Sequence, residues 1–273
     1  FFTFKPLDIF RAFNLNDEFK SNLALNPMQN FFTTLQYSNP DHNTKAAQYY
    51  SDMSVFLQLE KDNSFKKGYS RLIHPGSKAF ESQPNVVLVL CESFSMYKSS
   101  MSGNPLNSTP YFNQICNEGI FFERCYTPTF GTARGVFATI TGIPDVQLSK
   151  FSTRNPESIN QRTIINDFDG YEKYYFIGGR SQFNNFTGLV ANINELHVYE
   201  EGKYKAKNLN VWGISDKNLF LEATEVLAKE QKPFFAIIQT ADNHRPFDIP
   251  VEDSDFIRTN VATDTLAKYG FES

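Results

Sequence analysis

The sequence has no apolar run of about 18 residues, which is the length a membrane-spanning helix needs, so no segment of it is expected to cross a membrane. It also has no basic stretch followed by an apolar core, the pattern of a secretory signal peptide. The first residues, Phe1-Phe2-Thr3-Phe4-Lys5-Pro6, carry no Met and begin on aromatic side chains. Such a beginning is expected where a chain has been cut just after a membrane segment.

Blocks of positive charge are absent as well. Lys and Arg are scattered and the formal net charge is -4, so nucleic acid is not an expected partner. Only three cysteines occur, Cys91, Cys116 and Cys125, and their spacing does not match a metal site. The sequence therefore favours three small core residues over a disulfide framework, and the cysteines do not indicate a compartment.

Aromatic residues, by contrast, are abundant, with 28 Phe and 13 Tyr in 273 residues. That length suffices for one large α/β domain, with or without an appendage, and core packing is the favoured use of the aromatics. Residues 1–80 have helical and extended patterns broken by turns, which predicts a helical connector. His42 and His74 lie in its polar segments and are expected at the surface. Residues 81–273 are predicted to form the α/β part.

Short apolar runs alternate with helical patterns from Pro84 onward, which predicts a mostly parallel sheet flanked by helices. The predicted strands are 85–91, 120–126, 173–177 and 234–240. The predicted helices are 109–118, 132–141, 158–168 and 216–230. In such a fold, functional side chains lie in the crevice beyond the carboxyl ends of the strands.

Glu92 follows directly on the apolar run Val86–Cys91, which is expected to be buried. A carboxylate at the end of a buried strand needs a compensating partner, because an unpaired buried charge is costly. A divalent metal ion is one such partner, and a helix end or an arginine is another. The sequence leaves both open.

Thr132 follows Gly131 and starts a predicted helix. It is either a simple helix cap or a nucleophile whose anion the helix N-terminus would stabilise. Arg134, two residues later, is a candidate to hold a phosphate or sulfate oxygen.

Two further segments follow predicted strands. His244, within Asp242–Phe247, could donate a proton to an anionic substrate or leaving group, although a turn with a capping Asp fits the same residues. In the segment that starts at Gly178, Arg180 and Asn184 are possible substrate contacts. His197 is expected to be structural.

With these residues in place, the chain resembles the lipoteichoic acid synthase and phosphoglycerol transferase family of the sulfatase and alkaline phosphatase-like superfamily. The matching segments occur in the family's order and read NVVLVLCESF (85–94), STPYFNQICNEGIFFERCYTPTFGTARGVFATITGIP (108–144), YYFIGGRSQFNNFTGL (174–189), NVWGISDKNLF (210–220) and FFAIIQTADNHRPFDIP (234–250). Residues 1–80 resemble the connector between that family's membrane helices and its catalytic domain.

The resemblance implies an alkaline phosphatase-like fold and specific roles. Glu92 and Thr132 would be metal ligands, Thr132 also the nucleophile, and His244 a neighbour of the transferred group. It implies a divalent cation, often Mn²⁺, with Mg²⁺ or Zn²⁺ as alternatives. The implied enzyme lies on the outer face of the cell membrane, anchored through a missing N-terminal region. It moves a phosphoglycerol head group from phosphatidylglycerol to an envelope glycan or glycolipid through a phosphothreonine intermediate.

The sequence departs from the family at three places. An Asp-His pair that completes the family's metal site does not occur before Ser273, so we expect a domain that is incomplete at its C-terminus and poor at binding metal. Phe183 and Asn185 stand where lipoteichoic acid synthases have a substrate-binding Trp-x-Arg. Gly131 replaces a lysine of some members, and Arg134 is a candidate substitute.

Alternative functions remain open. Sulfatases need Pro and Arg two and four residues after the nucleophile, whereas Arg134 and Val136 stand there, so sulfate ester hydrolysis is disfavoured. A phosphoethanolamine transferase or phosphodiesterase of the same superfamily would use the same threonine and metal. From a different class, the fragment could be an inactive module that binds an anionic envelope polymer.

Overall fold

A computed structural model describes residues 27–28, 31–32, 42–59, 69, 80, 82–104, 106–128, 130–146, 161–253 and 262–268. The chain forms two compact units, Phe1–Pro84 and Asn85–Ser273, and each is considered by itself. No helix in the described part is long and apolar enough to span a membrane.

In the first unit, helix α1 covers His42–Gln48 and helix α2 covers Tyr50–Phe56. The Tyr69 hydroxyl donates a hydrogen bond of 2.5 Å to the Ala46 carbonyl. Its ring also lies 5.5 Å from that of Tyr50. His42 is the first residue of helix α1 and does not lie in a polar connection. His74 falls outside the described residues.

The second unit is built on a four-stranded, all-parallel sheet. Its strands are β1 (Val86–Leu90), β2 (Glu172–Ile177), β3 (Leu196–Tyr199) and β4 (Phe234–Gln239). The spatial order is β1-β4-β2-β3. Leu90 of β1 and Ile177 of β2 are both in register with Gln239 of β4, so three strands end at the same level.

Five helices accompany this sheet among the described residues: α3 (Pro110–Glu118), α4 (Thr132–Thr141), α5 (Phe186–Val190), α6 (Asp216–Leu227) and α7 (Thr263–Lys268). Short 3-10 turns cover Met96–Lys98, Ser100–Ser102, Ile164–Asp167, Phe183–Asn185 and Val251–Asp253. The start of α6 follows from its sequence, because the Ser215 hydroxyl accepts a hydrogen bond of 3.3 Å from the Asn218 N–H.

Apolar side chains cover both faces of the sheet. On one face, α4 and α5 contribute Val136, Phe137 and Leu189 to a core shared with Tyr175 and Ile237. On the other face, α6 contributes Leu219, Ala223 and Leu227 to a core shared with Phe176 and Ile238. The predicted α/β class, a parallel sheet flanked by helices, is therefore confirmed.

Three expectations about elements were wrong. Residues 120–126 form no strand, and Ile120 and Phe122 are exposed. Of the expected helix 158–168, the structure describes residues 161–168, and these contain only the 3-10 turn Ile164–Asp167. Strand β3 was not foreseen.

Strand β1 is also less buried than its composition suggested. It pairs with β4 but, among the described residues, with no strand on its other side. Val87 and Val89, which share one face of the strand, are 48% and 38% exposed, whereas Val86, Leu88 and Leu90 pack against the core on the other face.

The cysteines are not core residues either. Cys91 and Cys125 are exposed and Cys116 is partly exposed. Each lies in or beside a segment whose burial was overestimated from its apolar neighbours.

Candidate functional site

The backbone of Glu92 is held where β1 and β4 end. Its N–H donates to the Thr240 hydroxyl over 3.0 Å. Its carbonyl accepts a hydrogen bond of 3.2 Å from the Asn243 side chain. The Thr240 N–H in turn donates to the Leu90 carbonyl over 3.0 Å, which extends the ladder past both strands. The position of Glu92 is thus set by the sheet.

The carboxylate of Glu92 is the centre of a polar cluster. The Ser93 hydroxyl donates to its Oε1 atom over 3.2 Å, and the Nε2 atom of His244 lies 3.4 Å from the same oxygen. Burial raises the pKa of Glu92, but hydrogen bonds from His244, Thr132 and Ser93 outweigh it and lower the pKa below its usual value. Glu92 is therefore ionised at neutral pH.

Thr132 reaches this cluster from the start of helix α4. Gly131 occupies the cap position with φ of 90°, a conformation that strongly favours glycine, and Thr132 is the first helical residue. Thr132 is accordingly not the cap residue, and its hydroxyl lies close enough to the Glu92 carboxylate to help lower the pKa of Glu92. The structure thus brings together Glu92, Thr132 and His244, which lie far apart in the sequence.

The imidazole of His244 stacks on the indole of Trp212, with ring centroids 4.6 Å apart and planes inclined by 24°. The indole N–H donates to the Arg245 carbonyl over 2.8 Å. Phe183 packs against the indole edge-on, with centroids 5.8 Å apart. No role of Trp212 was predicted from the sequence, although the segment 210–220 that carries it was part of the resemblance.

A pair of carboxylates joins helix α6 to the loop after β4. The Asp216 carboxylate accepts hydrogen bonds from the Ala241 and Asp242 N–H groups over 2.7 and 3.0 Å. The Asp242 carboxylate accepts one from the Asp216 N–H over 2.8 Å. Burial is the main cause that raises the pKa of both, and the pKa of Asp242 reaches about 6. Neither residue was singled out from the sequence, apart from the reading of Asp242 as a capping residue.

Arg134 does not join the cluster. Its side chain is fully buried, with Nε 3.7 Å from an Asp145 carboxylate oxygen and the guanidinium 5.0 Å from the centre of the Phe130 ring. A guanidinium enclosed in this way cannot reach a phosphate or sulfate oxygen of a bound substrate. The structure therefore does not support the expected substrate contact or the replacement of the family's lysine.

Arg180 lies on the loop that follows β2 and is about half exposed. Its guanidinium pairs with Glu201 over 3.1 Å. Asn184 lies in the turn Phe183–Asn185, and its side chain is outside the described part. The substrate contacts expected of both residues stay predictions.

The glycines of this loop do permit close backbone approach, but to the chain itself. A Cβ atom on Gly179 would lie 2.8 Å from the Trp212 carbonyl oxygen. Gly213, at φ of 108°, would place a Cβ 2.0 Å from the Gly178 carbonyl oxygen. These glycines therefore allow the segment that carries Trp212 to lie against the end of β2.

The donors in the cluster suit a cation only in part. Carboxylate and hydroxyl oxygens are ligands that Mg²⁺ and Mn²⁺ prefer, but such ions take about six ligands. Within the residues that the structure describes, no group of three or more His, Cys, Asp or Glu side chains is arranged to hold a metal ion. These residues by themselves therefore do not fit a complete metal site.

The family of this chain is shown by its match to a family sequence profile. The sequence profile of the Sulfatase family matches residues 84–266, which is most of the chain. This chain belongs to the Sulfatase family. Its polar cluster lies within the matched part, and divalent metal ions are general in this superfamily.

Curated relatives of this Sulfatase-family chain include lipoteichoic acid synthases. That of Staphylococcus saprophyticus is 24% identical over 196 residues, which cover 68% of this chain and 30% of that protein. Lipoteichoic acid synthase 1 of Bacillus subtilis is 23% identical over 197 residues, with the same coverage of both proteins. The chain therefore spans about 30% of the length of these relatives.

Solved structures confirm an alkaline phosphatase-like fold for this member of the Sulfatase family. A protein of the alkaline phosphatase superfamily from Vibrio parahaemolyticus superposes with a TM-score of 0.57 and 27% identity, over 68% of this chain and 47% of that one. The lipoteichoic acid synthase LtaP from Listeria monocytogenes gives a TM-score of 0.57 and 17% identity, over 68% and 48%.

Proposed function

We propose that this chain is part of a transferase that moves a phosphoglycerol head group from phosphatidylglycerol to an envelope glycan or glycolipid. The observation that carries the proposal is the proximity of three groups: the Glu92 carboxylate, the His244 imidazole 3.4 Å from it, and the hydroxyl of Thr132, the first residue of helix α4, which helps to lower the pKa of Glu92. The similarity to lipoteichoic acid synthases supports the choice of a phosphoglycerol donor over other phosphodiesters.

In the proposed first step, the Thr132 oxygen attacks the phosphorus of the donor. A Thr132–phosphorus bond forms while the hydroxyl proton of Thr132 is released to solvent, the bond from phosphorus to the diacylglycerol oxygen breaks, and diacylglycerol leaves. In this proposal the neighbouring Glu92 carboxylate helps to orient the attacking oxygen. The backbone N–H groups at the start of α4 favour the negative charge of the phosphothreonine that results.

His244 is suited to protonate the leaving oxygen. It lies beside Glu92, and its side chain is 28% exposed, so it is accessible to a substrate while remaining fixed by its neighbours. In the second step, an acceptor hydroxyl attacks phosphorus, and the bond to Thr132 breaks. The same imidazole, now deprotonated, can take the proton of that hydroxyl, and the departing Thr132 oxygen takes a proton from solvent, which restores the starting state.

A divalent cation, as the family resemblance implies, would act as a Lewis acid at this cluster; the proposed ion is Mn²⁺, with Mg²⁺ or Zn²⁺ as alternatives. Glu92 and Thr132 would provide two of its ligands, and the others would come from outside the described residues. The proposed location is the outer face of the cell membrane, with anchoring by a region N-terminal to this chain.

The test uses a version of the protein extended to the length of its lipoteichoic acid synthase relatives. It is incubated with Mn²⁺ and fluorescent phosphatidylglycerol, and diacylglycerol release is measured. We expect release that is lost in Thr132→Ala and partly kept in Thr132→Ser. Unchanged release in Thr132→Ala would reject the nucleophile.

A parallel incubation with fluorescent phosphatidylethanolamine separates the competing enzymes. Faster turnover of that lipid would instead indicate a phosphoethanolamine transferase. Binding of an anionic envelope polymer without turnover of either lipid would indicate a binding module.

A further inference from the structure

Trp212 contacts His244 and the residue after it, although it lies on a different segment of the chain. The two rings stack face to face at 4.6 Å, and the indole N–H also holds the Arg245 carbonyl, one residue beyond the histidine. The indole therefore fixes both the ring plane of His244 and the backbone that follows it. Such a double contact leaves the imidazole little freedom to rotate away from Glu92.

The segment that carries Trp212 is itself held rigidly. The Trp212 N–H donates to the Asn210 side chain over 2.9 Å, and the Leu209 N–H donates to the Gly213 carbonyl over 2.7 Å. The Ile214 N–H donates to the Gly178 carbonyl over 3.3 Å, which ties the segment to the end of β2. These bonds locate the indole before any substrate binds.

The loop after β4, which carries His244, is also bonded to Asp216, which follows the segment of Trp212. Asp216 and Asp242 exchange hydrogen bonds through their carboxylates and backbone N–H groups. The loop after β4 is thus held at Asp242 by Asp216 and at His244 and Arg245 by Trp212. Phe183, from the loop after β2, packs edge-on against the indole.

We infer that Trp212 is a positioning residue for His244 and links the Phe183 loop to the histidine that handles the leaving oxygen. The inference rests on the proposed function for its chemical consequence, but the stacking can be measured without any turnover. Precise support of a catalytic side chain by packed neighbours is a general requirement, since small displacements reduce rates by one or two orders of magnitude.

The first arm of the test uses the 273-residue chain, in which Trp212 is the single tryptophan. Its fluorescence is compared in wild type, His244→Gln and the matched control His197→Gln, whose imidazole contacts Tyr174 on strand β2. We expect the emission intensity to change in His244→Gln and to remain that of wild type in His197→Gln. An unchanged spectrum in His244→Gln would overturn the inference.

The second arm measures diacylglycerol release by the extended protein. Trp212→Leu is expected to lower kcat by about 10-fold or more with little change in KM, and Trp212→Phe, which keeps a stacking ring, to recover most of it. Phe220→Leu, on the outer side of α6, should behave as wild type. Equal kcat in Trp212→Leu and wild type would refute the positioning role.

The two arms also separate the possible failures. Absence of turnover in the wild-type protein would contradict the proposed function, and the fluorescence comparison would then decide the positioning of His244 alone. Turnover in wild type with no effect of Trp212→Leu would contradict the positioning inference and leave the proposed function standing.

Discussion

The Nε2 atom of His244 lies 3.4 Å from the Oε1 atom of Glu92. The two residues follow β4 and β1, which are adjacent and parallel, so the sheet brings their loops to one edge. Thr132 completes the cluster from the start of a helix. An ionised carboxylate, a hydroxyl and an imidazole therefore share one site, and its chemistry can be tested residue by residue.

Glu92→Gln should weaken metal binding without unfolding the protein, because the amide keeps the shape but loses the charge that attracts a cation. In the extended protein, Mn²⁺ at about 100 times its Kd should stabilise wild type by about 2.7 kcal/mol, and Glu92→Gln clearly less, as measured by thermal unfolding. Glu225→Gln, an exposed glutamate of α6, is the control. An equal Mn²⁺ effect in wild type and Glu92→Gln would contradict the assignment.

The 273-residue chain offers a second metal comparison. Because its described residues contain no group of three suitable ligands, we expect Mn²⁺ and its removal with EDTA to change the thermal midpoint of this chain little. A midpoint that rises as strongly as in the extended protein would show that this chain holds the ion by itself.

Asp145→Asn should destabilise the protein by about 3 kcal/mol, because it removes a negative charge 3.7 Å from the fully buried Arg134 side chain. Urea unfolding measures the change. Asp167→Asn breaks an exposed pair with Arg162 and should leave the stability nearly unchanged. If Asp145→Asn were equally harmless, the burial of Arg134 would not depend on the Asp145 carboxylate.

Gly213→Ala should destabilise more than Gly202→Ala, although both glycines have positive φ angles of 108° and 90°. A Cβ on Gly202 meets nothing within 4 Å, so only the backbone strain of about 1–2 kcal/mol applies. At Gly213 a Cβ would also collide with the Gly178 backbone, which should add at least about 2 kcal/mol. Equal losses in chemical denaturation would show that the two segments do not approach so closely.

Asp242 should make stability depend on pH. Burial, with added repulsion from Asp216 and Asp248, raises its pKa to about 6 against an ordinary value near 3.9. The folded protein therefore retains a proton that the unfolded chain releases, so this group's contribution to stability falls as pH rises from about 4 to about 6.

Asp242→Asn removes that dependence, while its amide oxygen can still accept the Asp216 N–H. The stability of Asp242→Asn relative to wild type should therefore increase between pH values of about 4 and about 6, and level off above. Urea unfolding without added metal, at several pH values, measures the difference. A difference that stays constant across this range would contradict the raised pKa.

Much of the frame was predictable from local sequence patterns. Strands β1, β2 and β4 are short apolar runs followed by polar residues, and α6 begins at a recognisable cap, Ser215. The meeting of Glu92 with His244 followed from a general property of parallel sheets, whose carboxyl ends share one edge. The place of Thr132 beside Glu92 was expected from the family resemblance.

The errors arose where tertiary partners decide the outcome. The run Ile120-Phe121-Phe122 has strand composition, but a strand also requires a neighbour to bond with, and the run has none in the described structure. The charge of Arg134 suggested a ligand contact, whereas its enclosure beside Asp145 depends on packing that no local pattern encodes. The stacking of Trp212 on His244 was missed for the same reason.

Strand β1, which Glu92 follows, lies at the outer edge of the described sheet, and its residues Val87 and Val89 are partly exposed. A flank of this kind readily adheres to another extended chain. When the 273-residue chain is handled alone, self-association should therefore grow with concentration and crowd the approach to Glu92. Ligand affinity at the Glu92 site should therefore be higher in dilute samples than in concentrated ones.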